Sequence, residues 1–491
     1  MNTIDEAHAI GIDLGTSGIK VVLLSAGGVL KAEATALLAV QRPQPLWSEQ
    51  NPVDWLQATD AAMQALRERA PPGTWAAVKG LAIAGQMHGA VLLDRDGDVL
   101  RPAILWNDGR SQAQCAELER REPATRRITA NRAMAGFTAP KLMWVAEHEP
   151  QLFARVAKVL LPKDWLLHKL AGVLSSDCSD AAGTLWLDVA ARRWSEAMLQ
   201  ASGLSQRHMP DLHEGSELIG GLLPEWCARW GLPKGVGVAA GAGDNAGGAV
   251  GVGITRPGDG FVSLGTSGVL FVATPDARAN PERGVHTFCH ALPGTWHQMA
   301  VMLSASASLA WWSGITGAEP GALLDGMDCA AERSIAPVFT PYLSGERTPH
   351  ADPGATGSFL GLTHAATRRS LSYAVIEGVA FSFADGLAAL REAGTEPARL
   401  LAIGGGARSD TWLQLMADAL GLALERPSGA EVGPALGAAR LALLALGLPA
   451  ADVLRTPTIA HRFEPDAAAT AALAPRLARY RAAYAPTRAL S

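Results

Sequence analysis

The chain has little cysteine, little excess charge of either sign, and no unbroken apolar run that approaches the length of a bilayer span. Each shortage excludes something. The five cysteines (Cys115, Cys178, Cys227, Cys289 and Cys329) are odd in number, widely spaced and free of Cys-x-x-Cys pairs. They fit buried thiols in a reducing compartment and argue against a disulfide or zinc framework. A net charge of only −5, from 47 acidic and 42 basic residues, gives no electrostatic reason for a nucleic-acid or acidic-membrane partner. The opening residues Met1-Asn2-Thr3-Ile4-Asp5-Glu6 lack the basic start and apolar stretch of a secretory signal. The expectation is a cytoplasmic protein that binds neither nucleic acid nor membrane.

What is present is globular. Of 491 residues, 48% are hydrophobic, with glycine and proline spread along the sequence and no low-complexity tract. That length exceeds one ordinary core and predicts two large domains.

An internal repeat organises them. Leu14-Gly15-Thr16-Ser17-Gly18 recurs letter for letter as Leu264-Gly265-Thr266-Ser267-Gly268. Buried strands lead into each copy (Ala9–Ile12, Gly260–Ser263) and out of it (Ile19–Leu24, Val269–Ala273), so each unit reads as a β-hairpin with a hydroxyl-rich turn. The sequence therefore divides near Gly251-Val252-Gly253-Ile254 into residues 1–252 and 253–491. Further strands at Val78–Ala84 and Leu400–Ile403 alternate with helical patterns at Pro52–Leu66 and Thr411–Leu420, which predicts α/β domains with sheets covered on both faces. Ala467 to Tyr484 reads as helix with a solvated face, interrupted at Pro475.

The two turns carry the first chemical signal. Small residues let backbone N–H groups and the hydroxyls of Thr16, Ser17, Thr266 and Ser267 approach a phosphate closely. Either turn alone reads as an ordinary tight hairpin; the duplication favours phosphate binding. Asp13 precedes the first copy where Ser263 precedes the second. A carboxylate beside phosphate needs an intervening cation, so Asp13 suggests a Mg²⁺ site, with turn capping as the plainer alternative. Gly404-Gly405-Gly406 lies between a strand and a helix without the dinucleotide-fingerprint spacing, and such a loop lets an adenosine lie against backbone.

Asp244, in Gly241-Ala242-Gly243-Asp244-Asn245-Ala246-Gly247-Gly248, reads equally as a helix N-cap and as a base for a substrate hydroxyl. Gly85-Gln86-Met87-His88-Gly89 also follows a strand. Gln86 and His88 can grip sugar hydroxyls and Met87 can lie on a C–H face, although a lone histidine is more often a satisfied core group. Trp106–Arg110 and Gly345–His350 are polar loops that fit surface turns or cleft walls equally.

Taken together, these residues resemble the FGGY family of carbohydrate kinases, from Ile10 to about Leu446. Two family signatures are recognisable. Gly136-Phe137-Thr138-Ala139-Pro140-Lys141-Leu142-Met143-Trp144 fits the first, through Val145, Glu147 and His148. The second runs from Gly357 through Phe359, Gly361 and Leu362 to Ala374-Val375-Ile376-Glu377-Gly378. It departs from the pattern at Ser370, which can still cap a helix.

The resemblance implies two actin-like (ribonuclease-H-like) α/β domains facing each other across a catalytic cleft, an N-terminal sugar-binding one and a C-terminal nucleotide-binding one with a helical tail. It implies ATP and Mg²⁺, with Asp244 as proton acceptor and Asp13 near metal and phosphates. Gln86, Met87, His88, Asp244 and Asn245 fall at the sugar end. Thr16, Ser17, Gly265, Thr266, Ser267 and Gly404 to Gly406 fall at the ATP end. The run Gln86–Gly89 differs from that of glycerol kinases, so the implied acceptor is a ketopentose, D-xylulose, converted to its 5-phosphate in xylose catabolism. Another ketose or polyol, such as ribulose or a sugar alcohol, is the alternative within the class. Outside it stands an actin-fold ATPase without a sugar, and a homodimer is left open.

Overall fold

The computed structural model describes residues 7–428 and 433–490. Its first sheet is built from β1 (His8–Leu14), β2 (Gly18–Ser25), β3 (Leu30–Leu37), β4 (Val78–Gly85), β5 (Leu218–Gly221), β6 (Gly237–Ala239) and β7 (Ala242–Gly243). The order is β5-β6-β4-β1-β2-β3, with the short β7 continuing beside β4. The second contains β8 (Asp259–Leu264), β9 (Gly268–Thr274), β10 (His286–Cys289), β11 (Trp296–Met302), β12 (Arg399–Ile403), β13 (Leu424–Pro427) and β14 (Ile459–Phe463), in the order β10-β11-β9-β8-β12-β13-β14.

The two sheets share a plan. In each, a three-strand antiparallel meander (β1-β2-β3; β8-β9-β11) leads on to two strands parallel to its first and then to an antiparallel edge. The repeated pentapeptide makes the first hairpin of both, with Leu14 paired to Ile19 and Leu264 paired to Gly268. β1 is apolar on both faces and buried in the middle of its sheet, as strands with parallel neighbours are.

Helices cover the sheets. α1 (Pro52–Arg69) starts where Asn51 accepts from the Val53 N–H at 3.2 Å, with proline at its first position. α2 (Thr138–His148) and α3 (Pro162–Ala171) back the strand-end loops of the first half, and α4 (Asp244–Gly251) follows β7. α5 (Arg368–Glu392) is long and apolar enough to cross a membrane, yet 94% of its most apolar window is buried in the protein. Its start shows what Ser370 does: the Ser370 hydroxyl accepts from the Thr367 N–H at 2.9 Å, completing a capping box. α6 (Asp410–Leu420) follows the Gly404–Gly406 loop.

Two segments depart from expectation. α7 (Pro434–Ala445), on the C-terminal side of the predicted division, packs on the N-terminal sheet: Ala435, Ala438, Ala439 and Ala442 cluster with Ala9, Ala82, Ala84 and Ala239. It crosses α4 so closely that a Cβ on Gly437 would lie 1.8 Å from the Gly247 carbonyl oxygen. The two halves are therefore joined by crossed helices besides the linker.

α8 (Ala467–Ala489) runs through Pro475 instead of breaking there; it keeps the expected solvated face, but a buried face of Leu473, Arg476, Tyr480 and Ala483 anchors it. Arg476 forks onto Glu377 at 2.6 and 2.5 Å, and the buried Tyr480 hydroxyl accepts from Tyr342 at 3.0 Å. These contacts offset the ~3 kcal/mol that an interior proline costs a helix. Four of the five cysteines are buried, Cys329 is half-buried, and all are free.

Candidate active site

The loops after β4 and β7 meet in a cavity of about 220 Å³ between the halves, lined by Met87, His88, Trp106, Phe137, Asp244 and Asn245 from the first. From the second come Ser267 on its hairpin, His286 and Phe288 on β10, Met299 and Val301 on β11, and Arg347. Of the loops Trp106–Arg110 and Gly345–His350, Trp106 and Arg347 line the cleft.

Glycines let the floor pack. A Cβ on Gly85 would sit 2.9 Å from that of Lys163, and one on Gly89 would sit 2.4 Å from Pro162 Cγ. Between them His88 adopts the left-handed region at φ 68°, unusual for a residue with a Cβ, and several bonds hold it there. Its carbonyl accepts from Lys141 Nζ at 2.7 Å and Thr138 Oγ1 at 3.1 Å. Its Nδ1 lies 2.7 Å from the Gly183 carbonyl, so Nδ1 carries the proton and Nε2 is an acceptor. Burial pushes the imidazole down to about 3, so His88 is neutral wherever the protein works. Phe137 packs edge-on against it, with centroids 4.8 Å apart.

Asp244 is the first residue of α4, and Gly243 holds the N-cap position. The carboxylate is therefore free of capping. Its Oδ1 accepts from the Asn245 N–H at 2.7 Å and the Asn245 amide at 2.9 Å, which leaves Oδ2 available. Burial raises the group to about 6 despite those two bonds. Asp13, at the end of β1, is raised to about 7 by burial and then by the charge of Asp244, with Lys20 opposing. Burial and mutual repulsion disfavour ionising both carboxyls, and a bound cation would relieve that cost. Among the described residues no cluster of three or more His, Cys, Asp or Glu side chains can hold a metal alone. A single carboxylate such as Asp13 fits Mg²⁺ carried chiefly by phosphates and water.

The two turns are not equivalent. In the first, the Thr16 hydroxyl is already engaged, donating to Gln86 Oε1 at 3.0 Å and accepting from Trp106 Nε1 at 2.9 Å. Ser17 is exposed. In the second, Thr266 and Ser267 are both exposed, and Ser267 reaches the cavity. Gly404 to Gly406 lie directly behind it: a Cβ on Gly404 would be 2.8 Å from the Leu264 carbonyl carbon, and one on Gly406 would be 2.8 Å from Leu264 Cβ. Gly405 and Gly406 also border a larger cavity of about 740 Å³ with Ser306, Leu309, Ser409 and Trp412. The second turn thus borders the small cavity, and the glycine loop behind it borders the larger, more open one.

Gln86 does not reach the small cavity. It is 2% exposed, and besides the Thr16 bond its Nε2 donates to Gln50 Oε1 at 3.0 Å. Gln50 in turn donates to the Thr16 carbonyl at 2.8 Å, so this amide pair braces the first turn. Lys141, His286 and Arg347 had no assigned role in the residue pattern. Lys141 lies within a recognised signature, as a lysine among apolar neighbours, and Arg347 lies within the polar loop Gly345–His350; His286 gives no local signal.

Residues 8–251 match the N-terminal domain of the FGGY family of carbohydrate kinases, and residues 260–446 match its C-terminal domain. The chain belongs to that family. It is 51% identical to a xylulose kinase of Escherichia coli (strain K12) over 97% of this chain and 98% of the relative. A crystal structure of a xyloylose kinase from Brucella ovis superposes with TM-score 0.93 at 48% identity, covering 98% of this chain and 99% of the other. The xylulose kinase of Rhodospirillum rubrum gives 0.91 at 29% identity, covering 98% and 99%. This FGGY protein is therefore a sugar kinase of two actin-like α/β domains, with ATP the phosphoryl donor expected of its family.

Proposed function

We propose that this kinase transfers the γ-phosphoryl group of ATP to the 5-hydroxyl of D-xylulose. The observation that carries the reading is the shared cavity: a base candidate, Asp244, stands with Met87, His88 and Asn245 on one side and the Ser267 turn on the other. The names of the relatives support D-xylulose as the acceptor.

The residues divide the work. His88 Nε2 accepts from a sugar hydroxyl, Asn245 adds polar contact, and Met87 offers its thioether to the C–H face. Asp244 Oδ2 takes the proton of the attacking hydroxyl as the O–P bond forms and the bond to ADP breaks. The Gly265–Ser267 turn lies along the phosphates, the first turn with Ser17 faces them from the other domain, and Gly404 to Gly406 border the adenosine. Asp13 would hold Mg²⁺, which when bound neutralises phosphate charge. The domains are assigned as 1–252 for sugar and 253–491 for nucleotide, with α7 crossing between them. Five free cysteines agree with a cytoplasmic location.

A coupled ADP-release assay over pentuloses, pentitols, glycerol and hexoses tests the reading. D-xylulose should give the highest kcat/KM. A higher value for any other acceptor overturns the assignment of substrate, and ATPase activity indifferent to every sugar overturns the acceptor site itself.

A further inference from the structure

Arg347 is the cation of the cavity, and among the described residues it has no ion-pair partner. Its one side-chain hydrogen bond runs from Nη1 to His286 Nε2 at 3.2 Å. The charge of the neighbouring Glu346 offsets the burial of Arg347 only in part, without a direct ion pair. One Glu346 oxygen accepts the Leu303 and Arg347 N–H groups at 3.0 and 2.8 Å, and burial pushes this carboxyl up to about 8.

The guanidinium is nevertheless carefully aimed. Asn131 Nδ2 donates to the Thr129 and Thr287 carbonyls at 2.8 and 2.7 Å, which fixes the amide with Oδ1 toward His286. That oxygen lies 3.2 Å from His286 Nδ1, so Nδ1 carries the proton and Nε2 receives Arg347. The backbone is pinned one residue on, where the Thr348 N–H donates to the Val301 carbonyl and its hydroxyl accepts from the Val301 N–H, both at 3.0 Å. The series Asn131–His286–Arg347 therefore holds a donor-only group against the cavity with most of its N–H groups unspent.

The same cavity also presents acceptors. His88 Nε2 and Asp244 Oδ2 are there, and Met87 is packed on Gly243, where a Cβ would lie 3.0 Å from its sulfur. Phe137 packs against both histidines, its centroid 4.8 Å from His88 and 5.7 Å from His286. The linear keto form of D-xylulose can meet both kinds of group. Its hydroxyls can donate, but the ketone oxygen at C2 can only accept, and it lies toward the terminus remote from the reacting C5 hydroxyl.

We infer that Arg347 donates to the ketone oxygen of the acceptor and so selects a ketose over the corresponding alditol. This rests on the sugar-kinase reading above and deepens it. A site built to hydrogen-bond a substrate group discriminates because a mismatched analogue leaves buried groups badly paired.

The test compares D-xylulose with xylitol, which replaces the ketone by a hydroxyl, on wild type, Arg347→Met and Arg347→Lys. Loss of one charged hydrogen bond predicts a rise of about 10- to 100-fold in KM for D-xylulose with kcat changed less. The D-xylulose/xylitol ratio of kcat/KM should fall about tenfold or more in Arg347→Met and less in Arg347→Lys. Equal losses on both acceptors, or an unchanged ratio, overturn the inference and leave Arg347 a structural residue. If Arg347→Met fails to fold by thermal melting, the Arg347→Lys ratio decides alone. If wild type prefers another ketose, the substrate assignment fails, and the ratio is measured with that sugar and its own alditol.

Discussion

Asp244→Asn is the sharpest perturbation of the proposed chemistry, because the structure limits what it changes. Oδ1 can keep both Asn245 donors, so α4 and its loop should stay in place. What is lost is Oδ2, the oxygen available to take a proton. A positioned general base contributes about 10²- to 10⁴-fold, so turnover at saturating substrates should fall by that factor. In free energy this is about 3 to 5.5 kcal/mol at 1.36 kcal/mol per decade.

The pH profile provides an independent check. A carboxyl at about 6 is roughly nine-tenths ionised at pH 7 and one-tenth ionised at pH 5. Protonation of Asp244 should therefore contribute about a tenfold loss of wild-type kcat/KM between pH 7 and 5, on top of any loss from Asp13, and the residual activity of Asp244→Asn should lack the Asp244 contribution. Coupled ADP release between pH 5 and 8.5, with calorimetric D-xylulose binding on both proteins, separates chemistry from affinity. Turnover of the variant within about threefold of wild type refutes the role, as does an unaltered acid limb.

Asp13 should give a second signature. It is a buried carboxyl raised to about 7, so folding favours its protonated form, and the protein loses stability as pH rises from the unfolded value through 7. Asp13→Asn should then raise the melting temperature at pH 8 but not at pH 4, while abolishing activity that excess Mg²⁺ only partly restores; full wild-type activity in chelator refutes the metal role. His88→Ala should lower kcat/KM for D-xylulose by about 10-fold or more and affect sugar-independent ATP hydrolysis much less, and equal losses would mean that His88 supports the fold instead. Gly437→Ala should destabilise by ~3 kcal/mol or more in denaturant titration, since its Cβ would fall 1.8 Å from a backbone oxygen; a wild-type midpoint would disprove the tight helix crossing.

Much of the fold was legible because its signals are local. The duplicated pentapeptide sits between short apolar strands, and both copies are the first hairpins of matching sheets. Tertiary packing overrode local propensity elsewhere. Pro475 signals a break, but Arg476 and Tyr480 are anchored by Glu377 and Tyr342, which lie far off in the sequence. Likewise, nothing in Pro434–Ala445 announces that its alanines belong under the first sheet. Only the small residues opposite, Gly11, Ala82 and Ala84, make room for them.

The site was legible in proportion to how much of it lies on strand ends. Asp13 lies at the end of a buried strand, and Asp244, Met87 and His88 follow buried strands, where side chains emerge at the sheet edge. Gln86 shows how that logic fails. Strand alternation groups it with His88, but β4 ends at Gly85 and His88 turns left-handed, so the alternation is lost. Gln86 then points inward to Thr16 and Gln50. Lys141, His286 and Arg347 act across 50 to 60 or more residues of sequence, and only the fold brings them together. The same fold puts Asp13 beside Asp244 at a cost in stability that no core packing requires. Local rules broken without structural gain mark sites kept for function. Here the incompletely compensated groups of the cleft are two carboxyls and one guanidinium, and a nucleotide-borne cation and a ketose are the ligands that would satisfy them.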